Sequence, residues 1–155
     1  MKPFLAGLLA AALIVAGAPL RAQQKPNFSG SWKMNQVKSD FGPAPAPDTF
    51  TRKIVHAEPS ITIDEVQGSP LGEQQTSRKM TTDGKEGTFE VSGAQVKATA
   101  KWEGDTLLVV STVPAIGISY NDRMSLSADG KVLTSVVKLD TPDGSIDVKV
   151  VFEKQ

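Results

Sequence analysis

Five turn dipeptides punctuate the second half of the chain: Asp83-Gly84, Ser92-Gly93, Gly104-Asp105, Asp129-Gly130 and Asp143-Gly144. Glycine and aspartate tolerate the backbone conformations of tight hairpins, so each pair marks a place where the chain can reverse. Pro114-Ala115-Ile116-Gly117 fills the one large gap between them. Reversals at this spacing leave no room for long helices and predict an all-β meander.

The segments between the turns carry the matching period of two. Val96, Ala98, Ala100 and Trp102 alternate with Gln95, Lys97, Thr99 and Lys101, and Ile146, Val148, Val150 and Phe152 alternate with Asp147, Lys149 and Glu153 in the same way. Successive strand side chains point to opposite faces, so each segment has one face toward a core. Read along the chain, the strands are Phe28–Gln36, Thr49–His56, Ser60–Val66, Gly72–Thr81, Gly87–Val91, Ala94–Trp102, Thr106–Val113, Ile118–Ser127, Val132–Asp140 and Ser145–Glu153. "TLLVVSTV" is apolar at both parities and is expected to be covered on both sides or to lie along an interface. With no helix to cap their edges, the strands are expected to close into an antiparallel barrel of eight to ten strands. The expected core is Trp32, Ile54, Ile61, Ile63, Val96, Trp102, Leu107, Val109, Met124, Val136, Val148, Val150 and Phe152.

"GPAPAPD", Gly42–Asp48, cannot join a ladder because its three prolines have no N–H to donate. It reads as a stiff crossing between the first two strands.

The N-terminus is a different kind of sequence. Lys2 precedes the uncharged apolar run Phe4–Ala18, and Ala22 offers a small residue at a cleavage edge. This predicts a secretory signal peptide over residues 1–22, too short to span a bilayer comfortably, and a single barrel domain over 23–155. The whole chain balances 17 basic against 17 acidic residues, and the leader holds Lys2 and Arg21 without an acid. The remainder is slightly acidic, which argues against nucleic acid or an anionic membrane as partner. There is no cysteine, which excludes disulfides, thiolate catalysis and cysteine metal sites. The expected location is a bacterial periplasm or the medium.

"FSGSWKMNQVKSDFG" resembles the opening strand of the calycins, the superfamily of lipocalins and fatty-acid-binding proteins. Their first strand carries Gly-x-Trp, here Gly30-Ser31-Trp32, and in the fatty-acid-binding branch a Phe precedes it, as Phe28 does here. Ser39-Asp40-Phe41 and the hairpin "KWEGDTLLV" (Lys101–Val109) are similar to later segments of that branch. The likeness to small exported lipocalin-like bacterial proteins runs through the whole of 23–155. It implies a barrel with Trp32 plugging its narrow end and Gly30 letting a neighbouring backbone come close. In lipocalins an Arg of the last strand packs over that Trp; here the last strand has Lys149 and Lys154 instead, and Arg123 is taken as the substitute. The fatty-acid-binding branch also carries a two-helix lid after strand one, which Val37–Asp48 is too short and too proline-rich to form.

Chemistry-bearing motifs are sparse. His56 is the one histidine; it reads as a strand-end residue beside Pro59 with no partner for a metal or triad site. "DTPDGSID" lacks the acid order and terminal Glu of a calcium loop and reads as a hairpin turn. No catalytic residue, metal or cofactor is assigned. The polar strands hold more. If Phe50 and Ile54 face inward, so do Arg52 and His56; if Met80 does, so do Arg78, Thr76 and Gln74; and Ile118, Tyr120, Asp122 and Met124 share a face. Such an interior suits an amphipathic ligand held by Arg52, Arg78 and Tyr120, with Met80 and Trp102 on the wall. The second reading places the arginines at the rim or in solvent. Two functions stay open: a carrier of a small apolar or amphipathic molecule in the cell envelope, or a filled barrel acting as a non-enzymatic interaction module.

Overall fold

The computed structural model describes residues 24–155; the expected leader over 1–22 lies outside the described residues. Ten antiparallel strands run as β1 (Gly30–Met34), β2 (Thr49–Ala57), β3 (Ser60–Ser69), β4 (Gly72–Thr81), β5 (Gly87–Val91), β6 (Ala94–Glu103), β7 (Thr106–Val113), β8 (Ile118–Leu126), β9 (Val132–Thr141) and β10 (Gly144–Lys154). No helix occurs among the described residues. They form one sheet in the order β4-β3-β2-β1-β10-β9-β8-β7-β6-β5, rolled into a nearly closed barrel. The first and last strands in sequence pair with each other, Trp32 standing opposite Lys154 and Met34 opposite Phe152.

The seam lies between β4 and β5, the two ends of the sheet. At one end of the barrel the β4–β5 connection closes it: Asp83 bridges Lys101 of β6, and the Gly84 N–H donates to the Ala100 carbonyl at 2.9 Å. At the other end a side chain reaches across, Gln74 Nε2 donating to Ser92 Oγ at 3.5 Å. The Ser92-Gly93 turn has φ of 49° and 82°, the paired positive values a two-residue hairpin needs.

Call the end bearing the β2–β3, β4–β5, β6–β7 and β8–β9 turns the base, and the other end the mouth. The base is packed solid. Phe28, Trp32, Ile54, Ile61, Ile63, Leu107, Met124, Leu133 and Phe152 are each at most 2% exposed. Phe28 stacks on Trp102 with centroids 5.8 Å apart, and Trp32 Nε1 donates to the Phe28 carbonyl at 3.0 Å, so the indole plug leaves no orphan donor.

Four expectations are corrected here. The cation over the Trp32 ring is the Lys154 ammonium, 5.2 Å from its centroid, whereas Arg123 points outward to Glu103 at 3.6 Å. Gly30 makes room for that lysine rather than for a backbone: a Cβ there would stand 2.7 Å from Lys154 Cε. Val136 is 44% exposed; "VLTSVVKLD" has apolar residues at both parities, and β9 turns Leu133, Ser135, Val137 and Leu139 inward instead. His56 does have a partner, Glu58 two residues on, at 3.0 Å.

The other doubly apolar strand, β7, is covered on both faces. Leu108 lies on its outer face and is 6% exposed. Lys101 and Arg123 stand directly opposite it on the neighbouring strands, where their methylene stems can lie along it. After β1 the chain bulges and re-pairs with β10, Asp40 and Lys149 exchanging N–H···O bonds of 2.7 Å. Residues 41–48 then cross the mouth as a proline-rich strap, and Phe41 packs partly buried against the core.

Candidate functional site

Inward-facing residues stack in levels along the barrel axis. Period two decides which face a side chain takes, and register decides its level. On β2 the inward series from mouth to base is Phe50, Arg52, Ile54, His56. On β3 it is Gln67, Glu65, Ile63, Ile61, and on β4 Gln74, Thr76, Arg78, Met80. Pairing sets Arg52 opposite Glu65 and Thr76 opposite Glu65 on its other side. A charged level therefore sits halfway down, above the apolar base.

This level is a connected network. Arg52 Nε donates to Glu65 Oε1 at 2.5 Å, Nη1 to Ser135 Oγ at 3.2 Å, and Nη2 to Asp122 Oδ2 at 3.3 Å. Arg78 Nη2 lies 2.9 Å from Glu65 Oε1, and the Ser135 hydroxyl donates to Asp122 Oδ1. Arg52 thus spans the interior from β2 to β8 and β9. Its guanidinium also lies 4.7 Å from the Phe152 centroid and 5.3 Å from that of Phe50. Burial opposes the charge on Arg52, but Glu65 and Asp122 outweigh it and raise its pKa above the ordinary arginine value. Burial likewise pushes Glu65 up, and the two guanidiniums more than reverse this, holding its carboxyl below the usual range.

Above the charged level the barrel is hollow. A cavity of about 400 Å³ is bounded by Phe41, Phe50, Phe89, Val91, Val96, Val113, Val137, Leu139, Val148 and Val150, with Gln67, Gln74 and Thr76 along one side and Tyr120 among its lining. Its floor is Arg52, Glu65, Arg78, Ser111 and Asp122. Two floor atoms are buried without a hydrogen-bond partner, Arg78 Nε and Ser111 Oγ. Buried donors are nearly always satisfied by protein or by ordered water, so these two are the loose ends of the floor's hydrogen bonding within the protein.

Of the residues singled out from the sequence, Arg52, Arg78 and Tyr120 come together around this cavity. The arginines are 4% and 9% exposed, so neither is at the rim, and Tyr120 is 38% exposed. Met80 and Trp102 do not line it. Met80 lies in the packed core, paired with Ile61. Trp102 stands at the base, where its Nε1 donates to Glu58 at 2.8 Å and Lys25 Nζ sits 5.5 Å from its ring. Sequence reasoning missed Glu65, Ser111 and Ser135. Glu65 continues the inward parity of Ile61 and Ile63, a signal present in "ITIDE"; the serines look like ordinary outward polar residues.

A second polar cluster closes the base. Glu58 accepts from Thr82 Oγ1, from Trp102 Nε1 and from His56 Nε2. The Phe28 N–H donates to His56 Nδ1 at 3.3 Å, so Nδ1 is the acceptor and Nε2 carries the proton. Every polar group here has a partner. Among the described residues no group of three or more His, Cys, Asp or Glu side chains is placed to hold a metal ion.

No family model matches the chain, and no curated protein does. Solved structures do. Zebrafish ileal bile-acid-binding protein complexed with cholic acid is 19% identical, with a TM-score of 0.61 over 83% of this chain and 98% of that one. Secretory abundant heat soluble protein 4 from Ramazzottius varieornatus is 14% identical, with a TM-score of 0.61 over 86% and 99%. Echinococcus granulosus fatty-acid-binding protein 1 is 14% identical, with a TM-score of 0.57 over 82% and 96%. With its first and last strands paired and its seam between β4 and β5, the chain has the barrel fold of these three structures.

Proposed function

We propose that the chain is an exported carrier that binds a small, largely apolar molecule in the mouth half of its barrel. One observation carries the reading: a cavity of about 400 Å³ with an apolar wall ends on a polar, hydrogen-bonded floor. Its size falls within the ~300–1,000 Å³ of ligand sites, which combine apolar walls with few polar groups. The structural neighbours support the same coarse reading, since one is complexed with cholic acid and another is a fatty-acid-binding protein. The filled-barrel interaction module is the weaker alternative, because only the base half is filled. Export rests on the leader pattern of residues 1–22, and an envelope location follows from it.

The test is binding of Nile red, a neutral environment-sensitive dye, to the purified chain. Saturable binding with a blue-shifted emission is expected. Arg78→Leu, which removes one floor guanidinium and opens the floor, is expected to change the affinity at least threefold. Absence of saturable binding, together with no small molecule released from native protein by extraction, rejects the carrier.

A further inference from the structure

The cavity floor holds two guanidiniums and two carboxylates. Arg52 and Arg78 face Glu65 and Asp122, and each of the four residues is at most 9% exposed. Among the described residues no other charged side chain lines the cavity. The positive charge that would capture an acid is therefore already balanced inside the protein.

The donors are just as unevenly available. Arg52 has Nε, Nη1 and Nη2 all engaged, to Glu65, Ser135 and Asp122. Arg78 has Nη2 on Glu65, while its Nε is buried and unpartnered, as is Ser111 Oγ. The floor is polar throughout, so a ligand end that reaches it must itself be polar.

We infer that the cavity takes a neutral amphipathic molecule whose buried end presents a carbonyl or hydroxyl oxygen, rather than a carboxylic acid; this rests on the carrier reading above. An ionised carboxylate would add a third negative charge to a balanced, desolvated site. It would have to pull an arginine away from Glu65 or Asp122, leaving a buried carboxylate unpaired, and breaking a buried pair in this way is strongly unfavourable. A neutral polar end adds no charge and leaves both arginines on their carboxylates. The apolar body then lies along Phe50, Phe89, Val113 and Val148, with Gln67, Gln74 and Thr76 able to meet neutral polar groups on one side.

The experiment is displacement of Nile red from the purified chain at pH 8 by four ligands of one chain length: decanoate, decanol, decanamide and methyl decanoate. The neutral compounds are expected to displace the dye at concentrations at least about tenfold below decanoate, since an unbalanced buried charge costs several kcal/mol before relaxation. Decanoate matching or beating them overturns the inference and leaves the carrier reading standing. If Nile red itself shows no saturable binding, the carrier reading falls and the inference with it. Glu65→Gln and, separately, Asp122→Asn each remove one negative charge and are expected to shift the preference toward decanoate by at least about tenfold. A ratio unchanged in a folded variant of either kind overturns the charge-balance argument, and the wild-type series decides the matter if neither variant folds.

Discussion

Glu58 accepts three hydrogen bonds at the base, and the one from the Trp102 indole ties the β2–β3 turn to β6. Burial pushes its carboxyl up, but the bonds from Thr82, Trp102 and His56 outweigh this and hold it below the usual range. A depressed carboxyl pKa favours the folded state above the unfolded value, and the gain is lost as pH falls through the folded pKa. The window therefore opens near the ordinary glutamate value of 4.5 and extends downward. Glu58→Gln is expected to lower stability at pH 7 by about 1 kcal/mol, the size of a partly solvent-screened hydrogen-bonding gain. The difference in melting temperature between wild type and variant should shrink below pH 4.5; one that stays constant down to pH 3 contradicts the assignment. At this scale the sequence was only half legible. Alternation told which way Arg52, Arg78, Tyr120, Met80 and Trp102 face, but not how far along the barrel they sit. Met80 is one inward step below Arg78 on β4 and already in the packed base. Level depends on register across strands far apart in sequence, which a single strand's pattern does not contain.

Strands were the most legible objects, because each is bracketed by residues with a mechanical reason to turn. Gly84, Gly93, Gly104, Gly130 and Gly144 all have positive φ, and all five come from the dipeptides visible in the sequence. Where the pattern failed, both parities were apolar. On β9 the face is decided by partners instead: Ser135, 0% exposed, is needed inward by Asp122 and Arg52, and Val136 goes outward to stand opposite Lys149 and Arg123. Two substitutions separate these roles. Val136→Thr keeps a β-branched residue on an exposed face and is expected to change stability by no more than about 0.5 kcal/mol. Ser135→Ala removes only the hydroxyl, which strips a donor from Asp122 and an acceptor from Arg52 Nη1 and leaves buried charge under-satisfied at a cost of about 2–4 kcal/mol. Urea denaturation of the two variants measures both; a Val136→Thr cost equal to that of Ser135→Ala would mean the β9 face is assigned wrongly. The same logic explains the strap. Prolines at 43, 45 and 47 announce that residues 43–47 join no strand ladder, but not that Phe41 would reach the cavity.

The molecule as a whole divides its interior between two jobs. Below the charged level the barrel is filled to the density of a core and supplies stability; above it the same strands enclose space and supply a site. The Arg52 network separates them and joins β2, β3 and β4 to β8 and β9 across the interior. Only β4 and β5 end the sheet, and they face each other across the seam. The division makes the two functions separately mutable. Leu107→Ala, in the base with no exposure, should leave a cavity in the packed half and cost about 2–5 kcal/mol. Its Nile red affinity, measured well below the melting temperature, should stay within about twofold, since Leu107 is not among the residues that line the mouth cavity. Val148→Phe adds volume where space already exists, so the strain of overpacking, usually about 1–3 kcal/mol in a filled core, should largely be absent. The added ring occupies the site itself and should weaken the dye at least tenfold with stability changed by no more than about 1 kcal/mol. Reversed outcomes, with Leu107→Ala abolishing binding and Val148→Phe unfolding the chain, would mean that the mouth half is a packed core and that the dye enters elsewhere.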